Sequence, residues 1–142
     1  MSTKARNPKE ARLLALDLFK EADHKALRHL AEASDEVTVA AGHVLIEQGH
    51  NHNELYVLES GTASVMIEGN EVAEIPPGEF VGDLGFFVTG PATATVTAKT
   101  ELEVLVIPYN RFDQILDDNP ALVRAVANEL AERLHDTDAR LI

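Results

Sequence analysis

The sequence predicts a mainly β domain with flanking α-helices, built as a β-roll of jelly-roll or double-stranded β-helix type. Two observations carry that prediction. Apolar residues recur at helical spacing up to about residue 33, switch to alternation at Val37, and return to helical spacing after Pro108. Between those switches the short apolar runs are separated by Gly, Asn or Pro and recur about every ten residues, the rhythm of a closed roll.

The elements follow in chain order. Asn7-Pro8-Lys9-Glu10 reads as a helix start, with Asn7 as cap and Pro8 in the first turn, and Leu13, Leu14 and Leu18 supply the apolar stripe. Asp23 caps a second helix that turns Leu27, Leu30 and Ala31 inward. Val37-Thr38-Val39, Val44-Leu45-Ile46, Leu55-Tyr56-Val57-Leu58, Val65-Met66-Ile67 and Val72-Ala73-Glu74-Ile75 read as strands, with Gly69-Asn70 as a two-residue hairpin. Residues 93–98 and 104–107 continue the pattern. Asn110 is the expected cap of a helix carrying Phe112, Ile115 and Leu116, and Asn119-Pro120 opens a longer one with Val123, Val126, Leu130 and Leu134 on one side. The expectation is a single domain over 1–142, with helices over about 8–33, the roll over about 36–108 and helices over about 110–136.

With 142 residues, 45% hydrophobic and 25% charged, the chain has an ordinary globular balance for one domain. It has no cysteine, so disulfides, thiolate metal sites and a Cys nucleophile are excluded. No apolar run reaches the roughly 20 residues of a membrane span, and the first residues, MSTKARNPKEAR, hold no apolar leader, which places the protein in the cytoplasm.

The net charge is −12, and its distribution says more than its sum. Residues 29–98 contain eleven carboxylates and neither Lys nor Arg. Such a field repels phosphate backbones and anionic lipid, so neither nucleic acid nor membrane is an expected partner.

One segment breaks the strand pattern. Pro77-Gly78-Glu79-Phe80-Val81-Gly82-Asp83-Leu84-Gly85-Phe86-Phe87 is a Gly-rich turn leading into a brief helical stretch, followed by Pro91-Ala92-Thr93-Ala94-Thr95-Val96. These residues resemble the phosphate-binding cassette of cyclic nucleotide-binding domains of the catabolite-activator and kinase regulatory-subunit type, where a Phe-Gly-Glu-Leu turn precedes a Pro-Arg-x-Ala-Thr-Val run. Thr97-Ala98-Lys99-Thr100 and the upstream Gly42, Gly49, Tyr56 and Gly61 extend the likeness over about residues 10–135. The resemblance implies a cyclic nucleotide-binding domain fold and assigns roles. Gly82 would let the backbone approach the cyclic phosphate, and Asp83 would accept the ribose 2′-hydroxyl. Leu84 and Gly85 would offer backbone N–H groups, Thr93 a hydroxyl or N–H, and Ala94 a wall beside the base.

Two positions depart from the cassette. Asp83 is one methylene shorter than the family's Glu, and Ala92 stands where the arginine belongs. A bond to a charged group contributes about 1.5–3 kcal/mol, so its loss weakens binding by one to two orders of magnitude. Arg124 and Arg133 on the last helix are the cations that could fold over the pocket instead.

The resemblance implies a regulatory domain that senses cAMP or cGMP and signals through its C-terminal helix to a partner or second subunit. It is not an enzyme and requires no cofactor. The chain stops soon after the last helix, so the helix-turn-helix of transcriptional members is not expected. The alternative is a degenerate domain that has lost the nucleotide and serves in protein interaction or dimerisation. The stripe on the last helix would pack on its own roll or, in a functional role, meet a second copy or close as a lid over the pocket.

A third possibility lies in His50-Asn51-His52-Asn53-Glu54, where His50, His52 and Glu54 share one face of an extended chain, as metal ligands can. The spacing differs from the cupin pattern, and no His lies between His52 and His135, so a polar loop with no metal is the expected reading. Ser34, Ser60 and Ser64 lie in no nucleophile-elbow pattern.

Overall fold

Strands β3 (Glu54–Ser60) and β8 (Leu102–Pro108) pair antiparallel, with Leu55 opposite Ile107 and Leu58 opposite Val104, and the rest of the fold is arranged on their two faces. The computed structural model describes residues 8–16, 19–82, 86 and 90–135, with side chains to Glu132. Two four-stranded antiparallel sheets form the roll. One has the order β1 (Asp35–Val39), β8, β3, β6 (Phe80–Val81). The other runs β2 (Val44–Ile46), β7 (Thr95–Ala98), β4 (Ala63–Ile67), β5 (Asn70–Ile75). The expected β-roll with flanking helices is therefore the observed fold.

Strand alternation explains the two cores. Leu55 and Val57 of β3, Leu105 and Ile107 of β8 and Phe80 of β6 point outward to the helices and join Leu27, Leu30, Phe112, Ile115 and Leu122 in one cluster. Leu58, Val81, Val104 and Val106 point inward and meet Ile46, Val65, Ile75 and Val96 of the second sheet. Strands buried on both faces read as continuous apolar runs, which is why Leu55-Tyr56-Val57-Leu58 and Val104-Leu105-Val106-Ile107 look unlike the alternating β5.

Among the described residues the helices that flank the roll are α1 (Pro8–Leu14), α2 (His24–Ala33), α3 (Tyr109–Asp118) and α4 (Pro120–His135). Asp23 caps α2 as expected, its carboxylate accepting from Ala26 N at 2.9 Å. Asn7 lies outside the described residues. Two local expectations are corrected. The β4–β5 hairpin turns on Glu68-Gly69, one residue earlier than Gly69-Asn70, because both take positive φ (52° and 81°), as a type I′ turn demands. The cap of α3 is Pro108, without a side-chain hydrogen bond, and Asn110 falls inside the first turn. The chain passes straight from β8 into the helix, leaving no residue free to cap it.

Gly61 shows how closely the loops pack. It sits at φ +86°, and a Cβ there would lie 2.2 Å from Glu101 O, so no larger residue fits that corner. Among the described residues, no helix is long and apolar enough to cross a membrane.

Asn119 separates α3 from α4. It is 6% exposed, donates from Nδ2 to Ile115 O at 2.8 Å, and lies 3.3 Å from His29 Nδ1 on α2. Removing that amide strands a buried carbonyl, which costs about 1–3 kcal/mol. Asn119→Ala is expected to lose about that much in chemical denaturation, with the native circular dichroism spectrum retained.

Candidate functional site

The cassette begins where β6 ends. Gly82 is buried, at φ +95°, and a Cβ there would lie 2.7 Å from Glu54 O and 3.6 Å from His52 Cε1. Glycine is thus demanded by the neighbouring strand itself. The approach of the chain to its own β3 backbone requires glycine here whether or not a phosphate also approaches it.

The carbonyl of Gly82 accepts a hydrogen bond from the Tyr109 hydroxyl at the start of α3. The same hydroxyl lies 3.0 Å from His52 Nδ1. A phenol has one hydrogen, so with that hydrogen on the Gly82 carbonyl, His52 Nδ1–H is the donor to Tyr109. Tyr109 N also donates to Asn53 O at 2.9 Å, tying the β2–β3 loop to the helix. Phe86 stacks edge-on against Tyr109 and Phe112, with ring centroids 5.4 and 5.1 Å apart. One aromatic chain therefore links the cassette turn to α3.

The second half of the cassette is laced to the same loop. Ala92 N donates to His50 O at 2.9 Å, and Ala92 O accepts from Gly49 N at 2.8 Å. The Ala92 methyl is half-buried against the roll core, Thr93 is exposed, and Ala94 is 1% exposed within the core. Thr95 Oγ1 accepts from Gln48 N at 3.0 Å. The loop over 48–53 is thus bonded to the 92–95 run on one side and to Tyr109 on the other. Asp83, Leu84 and Gly85 lie outside the described residues.

Two compensating or competing groups lie elsewhere. Arg124 lines a groove with Lys20, Glu21 and Glu132 on the helical side, so it does not replace the missing arginine. The side chain of Arg133 is outside the described residues. His50 Nδ1 lies 3.5 Å from Glu47, His52 turns to Tyr109, and the Glu54 carboxylate meets Tyr56 Oη. His50, His52 and Glu54 therefore do not converge, and among the described residues no group of three such side chains is placed to hold a metal.

The stripe on α4 divides. Leu122 and Val126 are buried against the helical core and Leu130 packs beside them, while Val123 is 45% exposed. Sequence reading missed Tyr109 and the role of His52. Their contact spans 57 residues, and no local motif announces it.

A family model for the cyclic nucleotide-binding domain matches residues 36–119, a stretch that contains the roll, both halves of the cassette and α3. The chain belongs to that family. It is 34% identical over 103 residues to the cAMP-activated global transcriptional regulator CRP of Salmonella typhimurium, covering 68% of this chain and 49% of that protein. The chain thus spans about half the length of the curated relatives it matches. The N-terminal domain of a transcriptional regulator from Streptomyces coelicolor is similar with a TM-score of 0.72 and 29% identity, over 92% of this chain and 97% of that one. The regulatory domain of Toxoplasma gondii PKA, crystallised with cAMP, is similar with a TM-score of 0.69 and 29% identity, over 78% of this chain and 44% of that one.

Burial lowers the His52 pKa from its ordinary value, opposed by a hydrogen bond to the Glu54 backbone. A depressed imidazole pKa means the folded chain binds this proton less readily than the unfolded chain, so His52 stabilises the fold above about 6.5, the ordinary imidazole value. That stability drains away as pH falls through 6.5 toward the lower folded value. His52→Gln is expected to flatten this part of the curve. The difference in denaturation free energy between wild type and variant should change between pH 7.5 and 5 and level off above 7.5.

Proposed function

We propose that this chain is a regulatory domain that senses cAMP or cGMP between the Gly82 turn and the 92–94 run, and passes the signal through α4 to a protein partner or a second copy. The single observation that carries this reading is the family match over 36–119, which takes in both halves of the cassette in order. Two relatives add support, one named as cAMP-activated and one crystallised with cAMP. On this reading the domain is a cytoplasmic regulator without enzymatic activity of its own, and its roll does not touch nucleic acid, since no Lys or Arg occurs over 29–98. The transcriptional role in the Salmonella protein's name stays with that protein.

Backbone amides at a tight turn can hold a phosphate without a side-chain cation, so the expected affinity is weak but measurable. Calorimetric titration with cAMP and with cGMP tests it, and an absence of heat at millimolar ligand overturns it. Ala92→Arg sharpens the test. The backbone at 92 is already fixed by its bonds to Gly49 and His50, so the substitution adds a guanidinium without needing a new strand register. Binding is expected to tighten by roughly 10- to 100-fold, the equivalent of about 1.5–3 kcal/mol.

A second reading rests on two observations: the alanine at 92 and the purely internal packing that already accounts for Gly82. Here the roll has lost its nucleotide and α4 is an interaction surface. Both readings use Val123, the exposed member of the stripe. Val123 and Ala127 are exposed one turn apart on α4, and sequence spacing adds Leu134 seven residues further on, the seam of a two-helix contact. Val123→Asp is expected to halve the mass seen by light scattering while leaving the melting temperature of the isolated subunit within about 2 °C, as surface changes do. An unchanged mass would remove the α4 seam from both readings.

A further inference from the structure

An open cavity of about 280 Å³ lies at the mouth of the roll, where β1, β3 and β8 meet β2. None of Gly82, Ala92, Thr93 or Ala94 lines it. Val37, Val44, Val104 and Val106 form its walls. Among the described residues four large hydrophobic side chains are exposed, and Val37 and Val44 are two of them, at 39% and 44%. Apolar surface concentrated at one concave mouth is the usual mark of a binding site.

The fixed charges of the cavity are negative. Glu54 and Asp35 contribute carboxylates, and exposed His43 is the remaining titratable group besides Tyr56. Tyr56 donates to Glu54 over 3.3 Å, long for a hydroxyl donor. Burial first, and then the Glu54 charge, push the Tyr56 pKa up to about 12, so it stays a neutral phenol. The Glu54 carboxylate is therefore only loosely satisfied and keeps acceptor capacity toward the cavity. With no Lys or Arg in the lining, an anion entering here meets like charge. A cation meets two carboxylates across an apolar floor.

We propose that this cavity binds a small organic ammonium ion, with the ammonium donating to Glu54 beside the Tyr56 oxygen and an apolar body lying on the valines. Size sets the body. A dry cavity of about 150 Å³ holds benzene, so 280 Å³ accepts one ring with a short alkyl arm. The lining includes none of Gly82, Ala92, Thr93 and Ala94, and the charge it selects is opposite to that of a nucleotide, so the site stands whether or not cyclic nucleotides bind.

The experiment is a titration of the whole chain with 2-phenylethylammonium and, in parallel, with 3-phenylpropionate, followed by calorimetry and by valine methyl shifts in NMR. Saturable binding of the ammonium at millimolar levels or tighter is expected, with the carboxylate at least tenfold weaker and the largest shifts at Val37, Val44 and Val106. Glu54→Gln is expected to weaken the ammonium at least tenfold. Should that variant fail to fold, the discrimination between the two ions in the wild type still decides. No saturation by about 10 mM ammonium, equal binding of both ions, or shifts centred on Gly82 and Ala92 would overturn the proposal.

Discussion

Strands β3 and β8 are the wall between two hydrophobic cores, and nearly every other feature of the domain follows from that shared position. Their outward residues, Leu55, Val57, Leu105 and Ile107, carry the helices, and their inward residues, Leu58, Val104 and Val106, close the roll. A one-residue slip would exchange the two sets and spoil both cores together. The register is therefore strongly determined, and with it the position of β6, which pairs with β3 through Val81 and Phe80. Gly82 follows Val81 directly, so the cassette turn inherits its place from the central ladder. A cassette built this way needs no ligand to fix where it starts.

That dependence shapes what the cassette can do. Gly82 is held from three directions: the Glu54 backbone beneath it, the Tyr109 hydroxyl on its carbonyl and the His52 ring beside it. Its partners sit on β3, the β2–β3 loop and α3. A movement of the turn must disturb Tyr109, and Tyr109 meets Phe86, which meets Phe112 in the core under α3. The coupling is short and made of packed rings and hydrogen bonds, the kind of contiguous contact through which a local change can reach a helix.

Most of the architecture could be read from the sequence because it rests on local periodicity. Alternation, the Gly and Pro breaks and the Asp23 cap are signals a few residues long. What escaped was non-local or small. Strand β6 is two residues long and carries no alternation to detect. The hairpin turn moved by one because Glu68 adopts a positive φ, which a composition-based reading does not expect of glutamate. In the site, glycine at 82 was legible as a requirement, but its reason was not. The atom that excludes a side chain there belongs to Glu54, a residue 28 positions earlier. The resemblance supplied the cassette, whereas the Tyr109–His52 contact that holds it is a property of three-dimensional packing alone.

The charge distribution then bears on the roll as a whole. A stretch of seventy residues with eleven carboxylates and no Lys or Arg surrounds both the cassette and the valine-walled cavity. Long-range repulsion between exposed charges is screened within roughly 10 Å in ordinary buffer, so the acidic field need not bar an anion that reaches main-chain amides at short range. Inside a half-buried cavity screening is weaker, and there the nearest side chains decide. At the cassette the described side chains nearest position 92 are the alanine methyl itself and exposed Thr93, which are neutral. In the cavity they are Glu54, Asp35 and a phenol, which favour a cation. The two proposed sites thus differ in the charge they would select, and the alanine at 92, which removes a guanidinium from the first, leaves the second untouched.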